Sequence, residues 1–86
     1  MLSKGDNGFF LMVEGGRIDL AHHAVQARRA LSETVAMDAA IDRTLEMLEE
    51  MGELDDTLII VTADHAHTMS ISGYANRGTG IAGMSL

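Results

Sequence analysis

The sequence predicts an α/β fold, a single βαβ unit in which two parallel strands flank one crossover helix and a loop trails the second strand. Two continuous apolar runs, Phe9–Val13 and Leu58–Val61, bracket a long stretch with helical periodicity. A strand, a helix and a strand over about fifty residues form such a unit, and its crossover is right-handed in about 98% of cases. Residues 1–86 are interpreted as one partial domain, with no second domain.

The first strand is predicted at Phe9–Val13, where FFLMV shows no alternation of apolar and polar residues. A continuous apolar run of this length is typical of a strand that is buried on both faces. The Gly15-Gly16 pair ends this run. The second strand is predicted at Thr57–Thr62, where a β-branched run follows the turn signal Asp55-Asp56.

The helix between them is predicted from about Ala24 to Met51. Helix formers dominate this stretch, and its apolar residues recur at steps of three and four: Met37, Ile41, Leu45 and Leu48. Gly52 follows the last apolar step and suits the left-handed position that ends many helices. Beyond Asp64 the chain is rich in Gly, Ser and Thr without a sustained period, which indicates a loop.

Composition excludes several classes of function. The chain has 6 basic and 13 acidic side chains, a net charge of −7, so it repels phosphate backbones and anionic lipid surfaces but suits divalent cations. The absence of cysteine excludes disulfide scaffolds and thiolate zinc sites. The longest apolar run, FFLMV, is far shorter than the roughly 20 residues that cross a bilayer.

The predicted topology brings the polar residues that follow each strand to one edge of the sheet. Parallel strands end at the same edge, where open α/β sheets bind ligands. Seven candidate ligands follow the two strands: Glu14, Asp19, His22, His23, Asp64, His65 and His67. Carboxylates and imidazoles without sulfur suit zinc, and an all-oxygen subset suits magnesium. Taken singly, each of these residues is more often a cap or a surface turn residue.

Spacing divides the candidates into two pairs. Asp19 and His23 are four residues apart, so one helical turn places both on one face and at one ion. Asp64 and His65 are adjacent and reach a metal cluster together only if two ions are present or the backbone kinks. The two pairs predict a two-metal site of the kind that clamps a phosphoryl group. His22 points about 100° away from His23 on a helix and is assigned no role.

Several sequence motifs of this chain resemble those of a known family. VEGGRID followed by HH, then RALSETVAMDAAID, VTADHAH and SGYANRG, is similar in collinear order to the alkaline phosphatase family, and most closely to its animal branch. The resemblance runs from Gly8 to about Gly83. It implies a larger sandwich with a central sheet flanked by helices. The TADH string alone is less specific, because related metal-dependent mutases and phosphodiesterases carry similar strings.

The resemblance also implies an activity and a set of ligands. The activity is the hydrolysis of phosphate monoesters through a phosphoserine intermediate, at a site with two Zn²⁺ and one Mg²⁺. The implied roles are Glu14 as a magnesium ligand, Asp19 and His23 as ligands of a first zinc, Asp64 and His65 as ligands of a second zinc, and His67 as a histidine that orients the Asp19 carboxylate from outside the coordination sphere. A homodimer outside the cell, held at the plasma membrane by a lipid (GPI) anchor in animals, is implied as well.

Two departures limit what this chain does alone. Leu20 occupies a position where animal members of the family usually carry His. The family's nucleophilic serine has no counterpart here, so the chain is expected to supply metal ligands only and to be inactive alone. The alternatives are a non-catalytic metal-binding fragment, or a piece of a related phosphodiesterase or phosphoglycerate mutase. The GGRID turn and the HAH ending favour the phosphatase.

Overall fold

The computed structural model describes residues 5, 7–70, 73 and 76–80, and two α-helices organise them. Helix α1 spans Arg17–His23 and helix α2 spans Ala27–Met51. The described residues outside these helices form loops and turns. Within the SGYANRG motif and the GIAG that follows it, positions 72, 74, 75 and 81–83 lie outside the described residues.

The predicted βαβ unit is wrong for the described part of the chain. Neither Phe9–Val13 nor Thr57–Thr62 forms a β-strand, and no backbone hydrogen bond among the described residues joins the two segments. A parallel strand buried on both faces needs neighbours at its edges and layers above and below it. Here the apolar side chains stay in solvent instead, with Phe10 89% and Leu58 85% exposed.

The described chain is correspondingly open. Its accessible surface is 8097 Å², whereas a compact monomer of the same mass exposes about 4,900 Å². Its radius of gyration is 17.7 Å, against about 12 Å for a compact domain of this length. Buried apolar side chains are confined to the helices: Ala21, Ala30 and Leu48. The packing of α1 against α2 is therefore what organises the fold.

Helix α1 is short, and its surroundings fix where it lies. The backbone approaches α2 closely at Gly15, where a Cβ atom would stand 3.3 Å from Cδ1 of Ile18 and 3.5 Å from Sδ of Met37. Asp19 in the first turn, and histidines in the last turn when protonated, suit the helix dipole. The helix ends at His23, and two residues later Val25, a non-glycine residue, has a left-handed φ of 55°.

Helix α2 confirms the predicted helical end at Met51. Gly52 follows with a φ of 71°, and the backbone N–H groups of Gly52 and Glu53 donate to the carbonyls of Glu49 and Leu48. The helix begins at Ala27, three residues later than predicted, because the chain reverses after α1. Neither helix of the described residues is long and apolar enough to cross a membrane.

Candidate metal centre

Asp19 stands at the centre of a cluster of histidines. Its Oδ2 atom lies 3.4 Å from Nε2 of His23, one turn further along α1. Its Oδ1 atom lies 3.7 Å from Nε2 of His67 and 3.9 Å from Nε2 of His65. The four-residue spacing on a helix brings His23 to Asp19, whereas the other two histidines come from the segment after α2. One carboxylate therefore faces three imidazoles.

The ring of His67 packs among other histidine rings. It stacks on His22, with ring centroids 5.0 Å apart and planes inclined by 23°. It meets His23 edge to face, with centroids 4.9 Å apart and an angle of 86°. The side chain of His67 is only 24% exposed. These contacts on two sides hold the ring in one orientation beside Asp19.

His22 is the residue of this cluster to which the sequence assigns no role. Its Nδ1–H donates a hydrogen bond of 2.9 Å to the carbonyl of Ile18, one turn earlier in α1. His22 and His23 point about 100° apart around the axis of α1. The ring of His67, which comes from the segment after α2, nevertheless contacts both. The grouping of all four histidines in two short segments was the available signal.

Asp64 and His65 form a second, more exposed pair. The backbone bends at Asp64, and its Oδ2 atom lies 3.3 Å from Nε2 of His65. The hydrogen bond of 2.9 Å from Nδ1–H of His65 to the Ala66 carbonyl raises the pKa of His65, and the negative charge of Asp64, with a smaller effect from Asp19, raises it further. The bend lets two adjacent side chains converge.

The carboxylate of Glu14 lies beside the backbone of Gly16. Its Oε1 atom is 3.3 Å from the point that a Cβ atom of Gly16 would occupy. The group whose ligand atoms all lie within 4.8 Å of one another consists of Asp19, His23 and His67, and does not include Glu14. Leu20, next to Asp19 on α1, is exposed.

The donor atoms of this group fit a divalent ion. Carboxylate oxygen and imidazole nitrogen are the ligands that zinc takes in sites without sulfur. Oδ1 of Asp19 and Nδ1 of His67 are buried without a hydrogen-bond partner among the described residues. A buried carboxylate oxygen without a partner costs free energy, and a bound cation would remove that cost at Asp19.

Comparison with known proteins gives a consistent result. The family model described as alkaline phosphatase matches residues 1–86, the whole chain. The membrane-bound alkaline phosphatase of Bombyx mori is 51% identical over 83 residues, which cover 96% of this chain and 14% of that protein. The tissue-nonspecific isozymes of alkaline phosphatase from Felis catus and Homo sapiens are 51% and 46% identical, each over 99% of this chain and 16% of the relative.

The match extends over nearly all of this chain but only a small part of each relative. The chain spans about one-sixth or less of the length of these curated relatives, between 14% and 16%. No solved structure matches it. Because the family model matches every residue, the chain belongs to the alkaline phosphatase family.

Proposed function

We propose that this chain supplies metal ligands to the active site of a zinc- and magnesium-dependent phosphate monoester hydrolase. The observation that carries the proposal is the group formed by Asp19, His23 and His67, whose ligand atoms lie within 4.8 Å of one another. The family to which the chain belongs gives this group its chemical context. A bound divalent ion supplies Lewis-acid stabilisation of phosphoryl oxygens and lowers the pKa of an oxygen nucleophile.

Asp19 and His23 hold the first zinc in this proposal. They lie one turn apart on α1, with Oδ2 and Nε2 separated by 3.4 Å. In a tetrahedral zinc site with bonds of about 2.0–2.2 Å, neighbouring ligand atoms lie about 3.3–3.6 Å apart. The separation on α1 therefore matches that of two ligands on one ion without any rearrangement of the helix.

Asp64 and His65 hold the second zinc, and Glu14 binds the magnesium. The separation of 3.3 Å between the ligand atoms of Asp64 and His65 supports a shared ion. The support for Glu14 is its carboxylate oxygen chemistry, which suits the hard magnesium ion, and its position directly after the first apolar run. Two ions held in this way would clamp a phosphoryl group between them.

The setting of the whole protein is proposed from its relatives. The Bombyx mori relative is named as membrane-bound, which supports a location at a membrane surface. The exposed apolar runs around Phe10 and Leu58 need covering, which supports a larger assembly in which this segment is one part. We also propose that the whole protein forms a homodimer.

A hybrid enzyme tests this proposed function. Residues of this chain replace the matched segment of the Felis catus isozyme, and hydrolysis of p-nitrophenyl phosphate is measured after zinc and magnesium loading. We expect zinc-dependent hydrolysis that collapses in both Asp19→Ala and Asp64→Ala, because each substitution removes a charged ligand. A diester, bis(p-nitrophenyl) phosphate, should be a much poorer substrate. A folded, zinc-loaded hybrid that prefers the diester, or hydrolyses neither ester, would contradict the proposal.

A second candidate function, a non-catalytic metal-binding module, applies to the chain on its own. The open surface of 8097 Å² favours it, because catalytic groups need surrounding structure to hold them in a productive geometry. We expect the isolated chain to show no phosphatase turnover above that of the metal ions alone. Phosphatase turnover by the purified chain that exceeds the metal-only background, and that is lost when its serines are replaced by alanine, would refute this expectation.

A further inference from the structure

We propose that Asn7 is a site of spontaneous covalent modification, namely deamidation through a cyclic imide that it forms with the backbone nitrogen of Gly8. Asn7 and Gly8 belong neither to the metal centre nor to the two helices. The inference is therefore independent of the metal-binding role proposed above. It rests on the exposure of this dipeptide, on the backbone conformation of Gly8 and on the open space around Gly8.

Both residues of the dipeptide are exposed to solvent. Asn7 lies in a turn, and residues 7–13 form neither a helix nor a strand. The side-chain amide of Asn7 can therefore rotate towards the backbone without breaking regular structure. Water, which the second step of the reaction consumes, reaches both residues.

Gly8 supplies the backbone freedom that imide formation needs. Its φ of 71° lies in the left-handed region, and a Cβ atom built on it would meet nothing within 4 Å among the described residues. Glycine moves between backbone conformations that other residues reach only at a cost in free energy. The nitrogen of Gly8 can therefore approach Cγ of Asn7 without hindrance from a side chain of its own or from neighbouring groups.

The proposed reaction balances with water as its only co-reactant. The Gly8 nitrogen gives its proton to solvent and forms a bond to Cγ of Asn7. The bond between Cγ and Nδ2 breaks, and Nδ2 takes up a proton and leaves as ammonia. Water then opens the imide at either of its two carbonyls. One opening gives aspartate at position 7, and the other gives isoaspartate, in which the main chain runs through the side-chain methylene. Nothing is oxidised or reduced.

Asn76, the other asparagine of the chain, provides an internal comparison. It is also exposed, but the residue that follows it is Arg77, whose Cβ atom restricts the backbone. The carbonyl of Asn76 also accepts a hydrogen bond of 3.0 Å from the backbone N–H of Thr79, which holds a turn at this position. The two asparagines therefore share their exposure and differ in the freedom of the attacking nitrogen.

The modification changes the chain at the entry to its first apolar run. Deamidation adds a negative charge next to Asp6 and two residues before Phe9, in a chain whose net charge is already −7. Isoaspartate also adds one atom to the main chain. Both changes precede the run Phe9–Val13, which leads directly to Glu14.

The test follows the purified 86-residue chain during prolonged incubation at neutral and at mildly alkaline pH. Trypsin separates the two asparagines into peptides 5–17 and 44–77, and mass spectrometry with electron-transfer fragmentation distinguishes aspartate from isoaspartate. We expect Asn7 to convert at least about tenfold faster than Asn76, because of the conformational cost that a Cβ atom adds at the following residue. Both products should form at Asn7, and the rate should rise with pH because the attacking nitrogen must lose its proton.

Two variants isolate the route through the imide. Gly8→Ala should slow the conversion of Asn7 by about tenfold. Asn7→Gln keeps a side-chain amide but requires a larger ring, so position 7 should stay unmodified over the same period.

Several results would overturn the proposal. They are an Asn7 amide that persists throughout the incubation, conversion of Asn76 as fast as that of Asn7, conversion of Asn7 to aspartate alone, and a rate that Gly8→Ala leaves unchanged. The comparison of the two asparagines needs no variant, so an altered backbone in Gly8→Ala does not remove the test.

Discussion

The two aspartate–histidine pairs of this chain contain the same ligands and differ in what holds them. Asp19 and His23 project from α1 one turn apart, and the carboxylate of Asp19 is partly buried. Asp64 and His65 are neighbours on a bend without regular structure, and the Asp64 side chain is 81% exposed. A helix fixes the spacing of its ligands by local hydrogen bonds alone. A pair at the end of a segment that forms no strand lacks that support.

The largest difference is expected on removal of the two carboxylates from the isolated chain. Asp19→Ala should weaken zinc binding by more than about 100-fold, because it removes the central charged ligand of the group, and such losses exceed those of outer partners. Asp64→Ala should change the affinity of the first zinc by no more than about threefold, since Asp64 lies outside this group. Competition with a chromophoric chelator measures both. Equal losses of zinc affinity in the two variants would show that the first zinc depends on both pairs to the same extent.

The next largest effect is expected at His22. His22→Ala removes the ring on which His67 stacks and should weaken zinc binding about 10–100-fold, the range for partners that orient a ligand. His22→Phe keeps an aromatic surface of similar thickness and should recover most of that loss. The same chelator competition tests both variants. Identical affinities for Ala and Phe would mean that stacking on His22 does not position His67.

A smaller effect, on the free energy of unfolding, is expected at the C-terminal ends of the two helices. Gln26 and Val25 donate to the carbonyls of Ala21 and His22 in the pattern that Glu53 and Gly52 repeat at the end of α2, but Val25 is a β-branched residue at φ 55°. A left-handed non-glycine residue costs about 1–2 kcal/mol, and glycine has an entropic cost of about 0.5–1 kcal/mol.

Val25→Gly should therefore raise the free energy of unfolding by about 1 kcal/mol or less, and the matched Gly52→Val should lower it by about 1–2 kcal/mol. Thermal unfolding followed by far-UV circular dichroism measures both changes. Destabilisation by Val25→Gly would mean that the left-handed residue at the end of α1 is not strained.

The smallest effect concerns the pH dependence of the exposed pair. The pKa of His65 is raised, so its charged form is favoured in the folded chain. The resulting stabilisation is present below the ordinary histidine pKa of about 6.5 and is lost as the pH rises through the raised pKa of His65. An NMR titration of the metal-free chain should place the midpoint for His65 above 6.5, and Asp64→Asn should lower it. A midpoint at or below the ordinary value, or one that Asp64→Asn does not move, would count against this interaction.

The sequence predicts features that depend on nearby residues better than features that depend on distant ones. The end of α2 at Met51 follows from local helix propensity and from Gly52, and the spacing of Asp19 and His23 needs only one helical turn. The sheet was predicted wrongly because a strand needs partners, and the apolar character of Phe9–Val13 does not specify them. The contribution of His22 was missed because it depends on the ring of His67, which comes from outside α1.

The most direct test of the account follows the imidazole nitrogens of the ¹⁵N-labelled chain by NMR as Zn²⁺ is added. The central claim is that Asp19 and His23 on α1 form an ion site that binds before the exposed pair of Asp64 and His65 does. We predict that Nε2 of His23 moves to a metal-bound shift at the first equivalent, while Nε2 of His65 moves only afterwards. A first equivalent that shifts His65 and leaves His23 unchanged would contradict the account.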